Sequence, residues 1–222
     1  VSKKILLLCG PQGSGNHLWS KIFALHPDVS GWDDLLDTSD PDNYLIPHWR
    51  EPHINIWDNI EGITKEIMGN KDYLVISASV PYWNREKIGI PEIDKFVEHM
   101  EYLGIEVQVC VIGRDRNILA KQQTRLRGGP SYGAMTQMLY RMFTLPFYLS
   151  TENLYLYRQR YLKSLAKWLD FPIVLDDPRI DEILKEDSNE KYIIDAENPF
   201  VDSIVRKVTW VRHKERQQKV GK

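Results

Sequence analysis

The stretch from Cys9 to His17, CGPQGSGNH, constrains this chain more than any other. An apolar run, Ile5-Leu6-Leu7-Leu8-Cys9, leads into a loop bounded by Gly10 and Gly15, and an amphipathic segment comes directly after it. Strand, glycine loop and helix, in that order, hold a phosphate on bare backbone N–H groups at a helix N-terminus. The loop packs three glycines and one serine into six residues. A bare strand-to-helix turn needs one or two glycines, so this density predicts a phosphate ligand.

The spacing is that of G-x-x-x-x-G loops, but the two residues after Gly15 depart from those of an ATP or GTP enzyme. Such an enzyme needs Lys for the β- and γ-phosphates and Ser or Thr for Mg²⁺. Asn16 and His17 stand there instead. Neither carries a permanent cation, and Mg²⁺ prefers oxygen ligands. The loop therefore predicts phosphate binding without metal-dependent γ-phosphate chemistry, and no metal site is expected. A small nucleotide or sugar kinase is the reading these two residues disfavour.

At 222 residues, 42% hydrophobic and 27% charged, the chain is long enough for one α/β domain with a full core. Its formal net charge of −2 supplies no global field for nucleic acid or an anionic membrane. No apolar stretch approaches the roughly 20 residues needed to cross a bilayer. The opening VSKKILLLCG has a superficial likeness to a signal peptide, but its short apolar run enters the glycine loop directly and reads as a buried first strand. Cys9 and Cys110, the two cysteines, each lie in or at the end of a strand-like run. They are expected to be buried free thiols of a protein kept in a reducing, cytoplasmic compartment.

The pattern predicts strands at 4–9, 73–77, 106–112 and 147–150. Helices are expected at 16–25, 55–69, 91–103, 115–127, 132–145, 155–169 and 178–186, with a basic helix at 199–218. Residues 26–53, rich in Pro and Asp, read as a long irregular segment. Alternating strands and helices give a three-layer α/β fold, an open, mostly parallel sheet with helices on both faces. It should form a single domain over 1–222, with a C-terminal helical extension over about 178–222. Ligands of such sheets bind beyond the carboxyl ends of the strands, so the loops after Cys9, Ser77 and Ile112 should share one edge.

The third of these strands ends in Gly113-Arg114-Asp115-Arg116. A strand-end Arg can fork onto a phosphate, and the N-terminus of the next helix would add its dipole. Arg125 and Arg127, further along, read as a solvated basic face.

With these residues in place, the chain resembles the sulfotransferases that use 3′-phosphoadenosine-5′-phosphosulfate. Gly10-Pro11-Gln12-Gly13-Ser14-Gly15-Asn16-His17 is similar to that family's 5′-phosphosulfate loop. His26-Pro27-Asp28-Val29, with Asp33 seven positions after the His, resembles an HPDV stretch whose acidic residue acts as base. Gly113-Arg114-Asp115-Arg116 resembles the R-D-P motif whose Arg binds the 3′-phosphate. Thr151-Glu152-Asn153-Leu154 and Lys167-Trp168-Leu169-Asp170-Phe171-Pro172 resemble the Y-E-D-L and F-L-G segments. Together the four cover about residues 4–172. The resemblance implies a P-loop NTPase-like sulfotransferase fold and 3′-phosphoadenosine-5′-phosphosulfate as cosubstrate. It also implies sulfuryl transfer to a hydroxyl or amine on a small-molecule or glycan acceptor.

Four positions depart from the family. Its loop Lys or Arg falls on Gly13, its two threonines on Asn16 and His17, and its 3′-phosphate serine on Gln122. The side-chain amides of Asn16 and Gln122 can still donate hydrogen bonds, but Gly13 cannot replace a cation. Charge would then come from His17 as imidazolium, from Lys21 one turn further on, or from Lys121. Gly10, Gln12, Gly13, Ser14, Gly15, Asn16 and His17 would hold the 5′-phosphosulfate, and Arg114 and Gln122 the 3′-phosphate. Asp33 would be the base, with Asp34 and His48 as alternatives. A protein of this fold that binds the nucleotide without transfer is the competing reading, and Gly13 is its support. His48 and His53 lack a third ligand for a metal. Trp32, Tyr44, Trp49, Trp57, Tyr82 and Trp83 could rim an acceptor pocket or pack beside it. The basic residues 206–222 read as a solvated helix face.

Overall fold

The computed structural model describes residues 3–31, 56–84, 87–127 and 131–185. By backbone proximity the chain divides into Val1–Lys185 and Glu186–Lys222. The second unit, with the expected basic helix at 199–218, lies outside the described residues.

Five strands, β1 (Lys3–Pro11), β2 (Val29–Ser30), β3 (Tyr73–Val80), β6 (Ile105–Gly113) and β7 (Phe147–Ser150), form one sheet in the order β2-β3-β1-β6-β7. Every pairing in it is parallel. A separate antiparallel hairpin, β4 (Tyr82–Asn84) and β5 (Lys87–Gly89), comes after β3. The helices are α1 (Asn16–Phe23), α2 (Ile93–Tyr102), α3 (Arg116–Arg127), α4 (Tyr132–Arg141), α5 (Thr151–Leu165) and α6 (Arg179–Lys185).

Strand side chains alternate between faces, and β1 buries both. Leu6 and Leu8 join a core built with Leu18, Trp19, Ile22 and Phe23 of α1, Leu162 and Leu165 of α5, and Ile180 of α6. Ile5, Leu7 and Cys9 join a second core with Phe96 and Met100 of α2 and Met135 and Met138 of α4. Helices therefore cover both faces, which is why β1 reads as an unbroken apolar run rather than an alternating one. Cys9 and Cys110 are buried in opposite cores as free thiols. Burial pushes both thiols up, Cys110 to about 12, so neither is a thiolate nucleophile near neutral pH. No helix among the described residues is long and apolar enough to cross a membrane.

The fold corrects the sequence reading in several places. The helix expected at 55–69 is instead two short 3₁₀ turns, Ile60–Gly62 and Lys65–Met68. The Asn59 side chain accepts from Gly62 N at 3.2 Å and the Thr64 hydroxyl from Glu66 N at 3.4 Å. Each short polar side chain offers the backbone a local alternative to the helical ladder. Trp57 precedes these turns and packs against Phe96, with ring centroids 5.5 Å apart. The helix expected at 155–169 begins earlier, at Thr151, where Ser150 Oγ caps Asn153 N at 3.1 Å, and it ends at Leu165. The helix expected to reach 145 stops at Arg141. The two-residue strand β2 and the β4–β5 hairpin carried no periodicity long enough to read.

Inside α5, Arg158 adopts φ 44, ψ −124, a conformation natural to glycine, and its guanidinium donates to Asp181 Oδ1 of α6 at 3.0 Å. Both partners of that ion pair are about half exposed, so the pair itself contributes little. Arg158→Gly is therefore expected to stabilise the fold by about 1 kcal/mol, by relieving a positive φ. The check is the melting temperature. A loss of about 1 kcal/mol, the usual cost of a mid-helix glycine, would refute the strained joint.

Candidate functional site

The parallel sheet has a switch point at its carboxyl edge. The chain leaves β1 towards β2 at one edge and leaves the neighbouring β6 towards β7 at the other. The loops after β1 and β6 therefore diverge, and such switch points are where open α/β sheets take ligands. The loop Gln12–Gly15 and the Arg114–Asp115 junction stand on either side of it.

In the first loop Gly13 has φ 86 and Gly15, the N-cap of α1, has φ 110, both in the left-handed region that favours glycine. The third glycine has another cause. A Cβ on Gly10 would stand 2.2 Å from Ser14 Oγ and 2.8 Å from Asn16 Oδ1. Gly10 is needed because Ser14 folds inward; Ser14 is fully buried and its Oγ donates to Asn16 Oδ1 at 3.2 Å. Each glycine thus has a structural reason of its own, and the sequence argument from their density alone does not stand. Asn16 is also turned in. Its amide donates to Gly10 O, Ala78 O and Ser79 Oγ at 3.2–3.4 Å, tying the ends of β1 and β3 to α1. Gln12 reaches sideways, its Nε2 donating to Pro81 O at 3.3 Å, ahead of the hairpin.

The carbonyls from Gly10 to Asn16 are all taken. Asn16 Nδ2 holds Gly10 O at 3.4 Å, and Ser14 N holds Pro11 O at 3.0 Å. From outside the loop, Gln123 Nε2 donates to Gln12 O at 2.6 Å, Arg114 Nη1 to Gly13 O at 2.5 Å, and Thr151 Oγ1 to Ser14 O at 2.7 Å. Trp19 N takes Gly15 O at 3.0 Å, and Ser20 Oγ takes Asn16 O at 2.9 Å. Across a trans peptide the N–H points opposite to the C=O. With the carbonyls of residues 12–16 turned to these donors, the N–H groups of Gly13, Gly15 and Asn16 turn the other way, while that of Ser14 is spent on Pro11 O. Backbone N–H groups that point to one side of a loop can hold an anion. The first turn of α1 carries no acidic residue and no side-chain cap, so its dipole is left to an anion.

The junction after β6 is arranged differently. Asp115 Oδ1 accepts from Asn117 N and Ile118 N, both at 2.9 Å, and Glu152 Oε1 accepts from Asp115 N at 2.8 Å. The N-terminus of α3 is already capped by the protein's own carboxylates, so the dipole expected to assist Arg114 is spent. What Arg114 contributes is its guanidinium, delivered to the crest of the glycine loop.

The structure therefore brings Gly10, Gln12, Gly13, Ser14, Gly15, Asn16, His17 and Arg114 to one edge. The side chains of Ser14 and Asn16 serve the loop rather than project from it. His17 is half-buried in the first turn of α1, and Lys21 lies in its last turn, where the dipole favours a cation. Lys121 is exposed on α3. Gln122 lies on α3 with its side chain outside the described residues, and Asp33, Asp34, His48 and His53 lie outside them as well. No cluster of three metal-ligating side chains occurs among the described residues.

Two buried polar residues that sequence reasoning gave no role hold the loop. Gln123, 2% exposed, also donates to Ser131 Oγ at 2.8 Å and accepts from Ser131 N at 2.6 Å, joining α3, the start of α4 and Gln12. Thr151, 2% exposed, accepts from Trp19 Nε1 at 3.2 Å while donating to Ser14 O. A faint signal existed for the first, since Gln123 falls four residues after the buried Leu119 and so on the same helix stripe. Thr151 gave none.

Compared with protein-family models the chain matches none, and no curated protein sequence matches it significantly.

Proposed function

We propose that the protein binds 3′-phosphoadenosine-5′-phosphosulfate in the crevice between the ends of β1 and β6, and transfers its sulfuryl group to a hydroxyl or amine acceptor. The observation that carries the reading is the meeting of Arg114 with Gly13 at the divergence of two parallel strands. The N–H groups of Gly13, Gly15 and Asn16 suit the oxygens of a 5′-phosphosulfate. In the transfer, an acceptor oxygen or nitrogen forms a bond to sulfur as the bond from sulfur to the bridging oxygen breaks. The electron pair stays on the departing adenosine 3′,5′-bisphosphate, and the acceptor proton passes to a base. By the sequence resemblance that base is Asp33.

A second reading, nucleotide binding without transfer, is favoured by Gly13, which leaves the loop no cation of its own. Calorimetric titration with adenosine 3′,5′-bisphosphate, with and without Mg²⁺ and against ATP, tests the binding. Metal-independent preference for the bisphosphate is expected. Binding of ATP only, or only with Mg²⁺, would refute the reading in favour of a kinase. Release of the bisphosphate from the sulfated cosubstrate, with a panel of phenols, sugars and amines, separates transferase from binder.

A further inference from the structure

We infer that Arg114 serves the 5′ end of the nucleotide, supplying at Gly13 the positive charge that the glycine loop lacks, rather than the 3′-phosphate. The inference rests on the bisphosphate-nucleotide reading above and assigns one residue within it.

Its basis is where the guanidinium is held. Nη1 donates to Gly13 O at 2.5 Å, so the fork sits on the crest of the loop itself. A guanidinium has five N–H donors in a rigid plane. One bond to Gly13 both orients that plane and leaves the other donors for an anion. Whatever phosphate the loop holds therefore has Arg114 beside it. The two phosphates of the ligand are separated by a ribose, so a cation fixed at the loop is committed to the one bound there.

The neighbouring carboxylates do not cancel this charge by direct pairing. Asp115 is turned to the N–H groups of Asn117 and Ile118, and Glu152 Oε1 to Asp115 N. Among the described residues, Arg114 meets a carbonyl dipole, which orients a cation without neutralising it. Gly13 is also the position on which the loop cation of the resembling family falls, so the charge is restored at the same place from a different strand. When the bond from sulfur to the bridging oxygen breaks, the negative charge grows on the 5′-phosphate, and a cation at the loop stabilises it there.

Dissociation constants of the full chain and of Arg114→Ala, for adenosine 3′,5′-bisphosphate, adenosine 5′-monophosphate and adenosine 3′-monophosphate, decide the assignment. The substitution should weaken the bisphosphate and the 5′-monophosphate by the same factor, on the order of tenfold or more. Affinity for the 3′-monophosphate should not change. Arg114→Lys keeps the charge without the fork and should recover part of the loss, with a melting temperature near that of the parent. Loss confined to the two ligands with a 3′-phosphate would overturn the inference while leaving the nucleotide reading intact. Failure of the unsubstituted protein to bind any of the three would overturn both.

Discussion

Alanine at position 19 is expected to lower the free energy of unfolding by about 3–5 kcal/mol, the range for removing a fully buried tryptophan. Trp19 is 0% exposed. Its ring stacks on Phe23 of the same helix at 5.8 Å and meets the edge of Tyr161 at 6.2 Å, so it packs α1 against α5. Its Nε1 donates to Thr151 Oγ1, and the same hydroxyl donates to Ser14 O. The substitution opens a cavity and removes the group that orients the Thr151 hydroxyl. Urea unfolding should therefore show a lower midpoint with an unchanged slope. Trp19→Phe keeps an aromatic ring and loses the N–H, so it should cost clearly less. A loss below about 1 kcal/mol for the alanine variant would mean that α1 is not docked through this residue.

The second large effect is expected at Gly10. Gly10→Ala places a Cβ 2.2 Å from Ser14 Oγ, 2.8 Å from Asn16 Oδ1 and 3.1 Å from Ile112 Cβ. Ser14 is fully buried, so its hydroxyl cannot move away into solvent. Overpacking of this kind costs about 1–3 kcal/mol, and three simultaneous contacts put this site at the upper end. Displacing Ser14 also rotates the peptides on either side of it, which breaks the Ser14 N–H bond to Pro11 O and turns the Gly15 N–H aside. Phosphate-ester binding should fall together with stability. The cause can be isolated in a double-mutant cycle, because Ser14→Ala removes the nearest of the clashing atoms. Gly10→Ala should be much milder in the Ser14→Ala background. An equal cost in both backgrounds would show that the clash is not the reason for glycine at this position.

Trp19 and Gly10 illustrate two kinds of legibility. Trp19 lies beside the stripe Leu18, Ile22 and Leu25, and a helical period is enough to assign it to a packed face. Gly10 is plain in the sequence as a glycine, but its reason is not. Its neighbour in space is a serine folded back four residues later, and a pattern of letters does not show which way a side chain folds. The helix expected at 55–69 failed on the same ground. Apolar spacing suggested a ladder, but Asn59 and Thr64 redirected the backbone with their own oxygens. The base proposed at Asp33 lies outside the described residues.

What the sequence by itself determined is local. A run of apolar residues with no alternation specifies a strand buried on both faces. A glycine-bounded loop leading into an amphipathic segment specifies strand, turn and helix. The rule that parallel strands share a carboxyl edge was enough to bring Arg114 to the side of the Gly10–Gly15 loop before any contact was known. Tertiary structure alone decided what holds that loop and what it has to offer. Gln123 reaches Gln12 from 111 residues away, Arg114 reaches Gly13 from 101, and Thr151 reaches Ser14 from 137. Those meetings depend on strand order and on helices lying over both faces. They arise from packing the whole sheet, because hydrogen-bond partners so far apart in the chain leave no periodicity to read.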